Sequence, residues 1–244
     1  MTDCPRPVLE NIPADDIPNH PYAILSHTWG LDEVVFTDVA NGTARAKPAF
    51  AKVAFTCRQA ARDGLEYAWI DSCCIDKASS AELSEAINSM FPWYRAAVCC
   101  YALLEDYHHE TLVPSALSRC RWFTRGWTLQ ELLAPSTVTF HAASGTCIGT
   151  RESLCRHIAD ITRIDADILT GELPLGAASV AKRMSWAANR QTTRLEDTAY
   201  CLLGIFDVNM PMLYGEGARA FVRLQEEIMK TTDDESLFAC TSGF

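Results

Sequence analysis

A short apolar run that ends in carboxylates just ahead of a helical pattern constrains this chain more than any other feature. The run is Tyr67-Ala-Trp-Ile-Asp-Ser-Cys-Cys-Ile-Asp-Lys77, followed by Ser79-Ser-Ala-Glu-Leu-Ser-Glu-Ala-Ile-Asn-Ser-Met90. Read as a buried strand, it delivers Asp71 and Asp76 to a sheet edge, with Glu82 in the first turn of the next helix. In open α/β sheets ligands bind outside the carboxyl ends of the strands, so chemistry is expected here first. The same alternation surrounds this stretch. Residues 22–26 read as a strand and 27–30 as the loop leaving it. Residues 47–63 read as a helix with Phe50, Val53, Ala54, Cys57 and Ala61 on one face. Residues 80–95 read as a helix with Leu83, Ile87, Met90 and Tyr94 in one stripe, and 98–103 as a third strand. This β-α-β-α-β order predicts an α/β fold, a parallel sheet with helices packed on both faces.

After Pro114 the texture changes. Arg119-Cys-Arg-Trp-Phe-Thr-Arg-Gly-Trp-Thr-Leu-Gln-Glu131 is dense in Arg and Trp. Residues 127–133 read as a short helix stopped by Pro135, and 138–140 as a short strand. Beyond Arg151 the pattern is mainly helical, over 151–161, 177–189, 194–206 and 215–230. The expected organisation is an irregular lead-in over 1–21, an α/β core over 22–150 and a helical extension over 151–244. The extension is expected to pack on the core, giving one structural domain overall.

Composition narrows the function classes. A net charge of −10 argues against a general nucleic-acid binder, which carries a basic face. The 11 cysteines include no C-x-x-C pair and, with His108-His109, lack zinc-ligand spacing, so no metal is expected. Residues 1–16 are rich in Pro and Asp and do not read as a signal peptide. No apolar run approaches the ~20 residues of a membrane span. These features together predict a cytoplasmic protein with reduced thiols.

Three ordered motifs carry a family resemblance. They are Tyr22-Ala-Ile-Leu-Ser-His-Thr-Trp-Gly30, then Trp69-Ile-Asp-Ser-Cys-Cys-Ile-Asp76 with Glu82 and Met90 behind it, then Arg125-Gly-Trp-Thr-Leu-Gln-Glu131. The tail adds Arg190, Arg194-Leu-Glu-Asp-Thr-Ala-Tyr200, Tyr214-Gly-Glu-Gly217 and Asp233-Asp-Glu-Ser-Leu-Phe-Ala239. In these motifs the chain resembles the HET (heterokaryon incompatibility) domains of filamentous fungi. The resemblance implies an effector of self/non-self recognition whose activation triggers programmed cell death, an innate-immunity-like role. It implies activation by self-association into a homo-oligomer, and a NACHT/WD-repeat receptor as partner or fused domain. HET domains also look like distant relatives of TIR domains, implying a TIR/flavodoxin-like core. Some TIR domains cleave NAD+ with a helix-borne glutamate, so NAD+ is the implied substrate and no cofactor is required.

Each candidate residue carries two readings. Glu82 is either the catalytic carboxylate, with Glu85 as runner-up on nearly the same helix face, or the acidic partner of a capping box with Ser79. Ser26, His27 and Trp29 either line a ligand pocket, with Trp29 stacking on a ring, or are core and loop groups. Asp71 ends a buried strand and needs a partner or a cleft. Arg125 is that partner or a bidentate phosphate ligand. Cys74 is buried packing or a nucleophile beside His27, and the nearby Asp71 and Asp76 disfavour a thiolate there. Trp127 and Gln130 are expected to pack or form an interface. Glu131 is either a second acid near the cleft or a surface group. Glu196 and Asp197 are expected to bond to Arg190 or Arg194. The alternative to an enzyme is a non-enzymatic, self-associating signalling module.

Overall fold

A computed structural model describes residues 7–239; residues 1–6 of the lead-in lie outside it. Its strands are β1 (Tyr22–His27), β2 (Tyr67–Trp69), β3 (Cys99–Leu104), β4 (Val138–Ala142) and β5 (Cys147–Thr150). The α/β part holds α1 (Phe36–Ala40), α2 (Phe50–Arg62), α3 (Asp71–Cys74), α4 (Ser80–Ala96), α5 (Pro114–Leu117) and α6 (Thr128–Leu133). The tail holds α7 (Cys155–Thr162), α8 (Ala166–Leu169), α9 (Val180–Ala187), α10 (Asp197–Tyr200), α11 (Leu203–Phe206) and α12 (Arg219–Thr231).

The sheet order is β2-β1-β3-β4-β5. The first three pairings are parallel, as expected, while β5 adds to β4 antiparallel and makes the sheet mixed. This is the flavodoxin-like order 2-1-3-4-5 with its last strand reversed. The reversal has a local cause. A turn through Gly145, at φ 85°, links β4 to β5 directly, where a parallel strand would need a long crossover.

Strand periodicity divides the core between two faces. Tyr22 and Ile24 of β1, Cys100, Ala102 and Leu104 of β3, and Val138 and Phe140 of β4 pack with Ile87, Met90 and Tyr94 of α4 and with the tail helices. Ala23, Leu25, Cys99, Tyr101 and Leu103 face the other way, onto Val53 and Ala60 of α2. Both faces are therefore covered, which is why the parallel strands are apolar on both sides. The alternation also sends consecutive residues of β1 to opposite sides: Ser26 follows Ile24 and His27 follows Leu25.

The tail shares the first of these cores and so packs on the α/β part. It is pinned at the Arg125 motif, where Gln191 N–H donates to Thr124 O (2.6 Å) and Gly126 N–H to Gln191 O (2.9 Å). A Cβ on Gly126 would lie 2.5 Å from Thr192 Cγ2, so glycine is what lets the two segments approach. Arg190 donates to Arg125 O and Thr128 Oγ1, each at 2.9 Å. The predicted helix over 194–206 is broken into α10 and α11, and that over 151–161 begins only at Cys155. Buried Arg151 instead serves the end of α6, donating to the carbonyls of Leu132, Pro135 and Ser136 at 2.8–2.9 Å.

Candidate functional site at the strand ends

The carboxyl ends of β1, β2 and β3 bring together Ser26, His27, Thr28, Trp29, Asp71 and Glu105. In this strand order the connections part company between β1 and β3, which is where doubly wound sheets hold nucleotides. His27 is buried and lies between two carboxylates: Nδ1 is 3.8 Å from Asp71 Oδ1 and Nε2 is 3.6 Å from Glu33 Oε2. Asp71 also accepts the Trp29 indole N–H at 2.9 Å. The Lys77 ammonium sits 3.3 Å from the centre of the Trp29 ring.

A second layer lies on the α2 side. Lys52, buried on α2, bonds to Glu33 and donates to Thr28 O at 3.0 Å and to Glu105 Oε2 at 2.9 Å. Arg121 donates to Thr28 Oγ1 at 3.1 Å and reaches Trp29 O at 3.4 Å. Burial pushes the Glu33 carboxyl up, but His27, the Gly30 N–H and Lys52 outweigh it and hold the group at about 2. A carboxylate depressed in the folded state stabilises it above the ordinary value of 4.5, and that stability is lost as pH falls towards 2. Allowing for solvent screening, the loss is expected to be about 2 kcal/mol. Urea titrations between pH 5 and 2.5 on wild type and Glu33→Gln check this, because the variant lacks this part of the acid sensitivity.

A third layer lies on the α4 side, beneath Ser26. Ser26 Oγ accepts from Trp122 Nε1 at 2.8 Å and donates to Glu131 Oε2 at 2.5 Å. Glu131 is buried on α6, so it is not a surface group. Burial, reinforced by the Asp71 charge, pushes it up to about 8, against the pull of Ser26 and Arg190. Arg190, also desolvated, is lowered to about 10. Trp127 packs at the edge of the core, and Gln130 is buried beside Glu131.

Several expected contacts are replaced by others. Asp71 pairs with His27 and Trp29, not with Arg125, whose guanidinium instead meets Thr193 Oγ1 at 3.0 Å. Asp71 begins the one-turn α3, and its side chain leans across to the β1 loop. Glu196 and Asp197 are also held differently than expected. Glu196 accepts the N–H groups of Gly215 (2.7 Å) and Gly217 (3.0 Å), and Asp197 accepts the Tyr214 hydroxyl at 2.9 Å. The Tyr214–Gly217 turn thus cradles a carboxylate of its own chain.

Glu82 and Glu85 are both exposed on α4. Half of the capping box forms: Glu82 N–H donates to Ser79 Oγ at 3.3 Å. The Glu82 carboxylate reaches further back and accepts the Asp76 N–H at 2.8 Å. Asp76 itself closes an Asx turn onto Ala78 N–H at 3.0 Å. Cys73 and Cys74 are free thiols, and Cys74 Sγ accepts the Ile70 N–H at 3.4 Å. The bond to Cys74 and burial hold the Cys73 thiol above its ordinary value, so it stays protonated. Glu33, Lys52, Glu105 and Arg121 were not singled out in the sequence. The available signal was Lys52, a lysine within the apolar pattern of α2.

Comparison with known proteins bears directly on this site. Residues 22–118, spanning β1 to α5 and holding His27, Trp29, Asp71 and Glu82, match the family model of heterokaryon incompatibility protein (HET). Residues 22–118 are a HET domain. Residues 219–244 match a further family, a domain of unknown function (DUF8212). The chain is 50% identical over 231 residues to vegetative incompatibility protein HET-E-1 of Podospora anserina. That alignment covers 91% of this chain and 17% of the relative, so the chain spans under a fifth of the length of the fungal protein it matches. No solved structure matches the chain. The first two motifs lie within the matched HET domain, whereas Trp122, Arg125 and Glu131 follow it, and Trp122 and Glu131 bond to Ser26 of its first strand. Among the described residues, no helix is long and apolar enough to cross a membrane.

Proposed function

We propose that this chain is the effector domain of a fungal heterokaryon (vegetative) incompatibility protein, and that it triggers cell death by hydrolysing NAD+. The observation that carries the enzymatic reading is the strand order, which sets Ser26, His27, Trp29 and Asp71 at the nucleotide position of a doubly wound sheet. In this reaction water adds to the anomeric carbon as the bond to nicotinamide breaks, giving ADP-ribose, nicotinamide and a proton. The leaving group is already cationic and needs no general acid. One carboxylate that orients the ribose and stabilises oxocarbenium-like charge suffices. Glu82 fills that role, with Glu85 behind it; its exposure and its single hydrogen bond to a turn leave it free to swing towards a bound ribose. Asp71 and His27 position the substrate, and Trp29 offers an aromatic face. Activation proceeds by self-association in the cytoplasm, driven by a NACHT/WD-repeat receptor in the same or a partner chain.

A second reading is favoured by a specific observation: the crevice is filled by its own side chains, and Glu82 serves the start of its own helix. On that reading the chain signals by self-association alone, through the surface around Arg125 and Trp127. The two separate cleanly. Loss of NAD+ turnover and of killing in Glu82→Ala supports the enzyme. Loss of killing in a folded Arg125→Ala or Trp127→Ala variant that keeps any turnover supports the module. A cysteine hydrolase would instead lose activity in Cys74→Ser.

A further inference from the structure

Three cations stand at the strand ends, and they are not equally committed. Lys52 is held by Glu33, Glu105 and Thr28 O, and Arg121 by Thr28 Oγ1 and Trp29 O. Lys77 differs. Its ammonium is shielded from solvent and, among the described residues, has no hydrogen-bond partner. The Trp29 ring face 3.3 Å away is its closest compensation. Burial lowers the Lys77 pKa, against the pull of the Asp71 and Glu33 carboxylates. A desolvated ammonium without an oxygen acceptor is under-satisfied, and an anion reaching it would satisfy it.

Trp29 is what stands in the way. It is 42% exposed, at the tip of the loop leaving β1, with fully exposed Leu31 beside it. Two groups of the β2–α4 segment hold it down: Asp71 takes its N–H, and Lys77 covers its face. Those same two groups are the ones a ligand at the strand ends would need. We propose that Trp29 is a gate, held shut by Asp71 and Lys77, and that opening it hands the Lys77 ammonium to the phosphate of an anionic ligand. The ligand half of this inference rests on the nucleotide reading above; the gate does not. A closed gate accounts for a filled crevice in the resting chain and gives self-association something to act on.

Two substitutions test it on the purified chain. Trp29→Phe removes the N–H to Asp71 and keeps a ring for stacking. Lys77→Met removes the cation and keeps the stem. Hydrogen exchange followed by mass spectrometry is expected to speed up about ten-fold over residues 27–33 and 71–77 in both, with β3 unchanged. Calorimetry with ADP-ribose and with inorganic pyrophosphate is expected to move the two variants in opposite directions. Trp29→Phe should bind more tightly than wild type, and Lys77→Met about ten-fold more weakly. A purely structural role would move both variants the same way. Unchanged exchange in both variants overturns the gate, whether or not NAD+ is cleaved. Faster exchange with no binding of either probe, or with affinities that shift together, overturns the role of Lys77. Binding of pyrophosphate but not ADP-ribose upholds the gate and its cation while sinking the nucleotide reading.

Discussion

Replacing Glu131 with Gln is expected to stabilise the protein at pH 8 by about 4 kcal/mol and to change its stability little at pH 4. The sign follows from the direction of the shift. Burial and the Asp71 charge raise Glu131 to about 8, whereas in the unfolded chain it titrates near 4.5. Between those values the folded protein keeps a proton that the unfolded chain releases, so stability falls as pH rises through the window. Glutamine needs no proton to stay neutral. Its carbonyl still accepts from Ser26 Oγ, and its amide can serve the Tyr94 hydroxyl now within reach of Glu131. Urea denaturation of both proteins at pH 4, 6 and 8 gives the answer. The curves should meet at pH 4 and separate steadily above pH 5; parallel curves would mean that Glu131 is ionised in the fold and balanced by Arg190.

Gly204→Ala should cost about 3 kcal/mol or more, lowering the melting temperature by about 6–12 °C. Gly204 lies in α11 where it crosses α4, and an added Cβ would fall 2.0 Å from Phe91 Cβ and 2.4 Å from Phe91 Cγ. The nearest clashing atom is itself a Cβ, tied to the α4 backbone, so no rotamer change relieves it. The two helices must separate, in the core that joins the tail to the α/β part. Gly176→Ala is the control. A Cβ there meets nothing within 4 Å and its φ is not in the left-handed region, so the change should be within about 0.5 kcal/mol. Equal effects at the two positions would remove the claim that close α11–α4 approach holds the tail in place.

Much of the architecture was legible because it is written locally. The runs at Tyr22 and Val98 are apolar on both faces, as strands between two helical layers must be, and α2 and α4 carry the 3.6-residue period, whereas the Tyr67 run, read as a buried strand, is a three-residue edge strand that is only half-buried. What escaped was short or long-range. Cys147–Thr150 is only four residues, with an exposed cysteine and a glycine, too little for alternation to register. Asp71–Cys74 is a single helical turn whose pattern cannot be told from the strand before it. At the site, the residues of β1 and the Asp71 carboxylate could be placed at strand ends from the sequence, but their partners could not. Ser26 meets Glu131 across 105 residues, and Lys52 meets Glu105 across 53. Nothing in Leu129-Gln-Glu-Leu132 distinguishes a buried acid from an exposed one until the serine opposite it is known. Arg125 was matched to Asp71 on charge alone, yet Trp29 and His27, one loop away in space, reach that carboxylate first.

The most direct test of the functional account is nicotinamide release from NAD+ by the purified chain, followed chromatographically on monomeric and on assembled protein, with Glu82→Gln alongside. Assembled wild type is expected to consume NAD+ with one nicotinamide formed per NAD+ lost, and Glu82→Gln to lower the rate by about 100-fold or more. Intact NAD+ after incubation with assembled wild type, or equal turnover by Glu82→Gln, would contradict it.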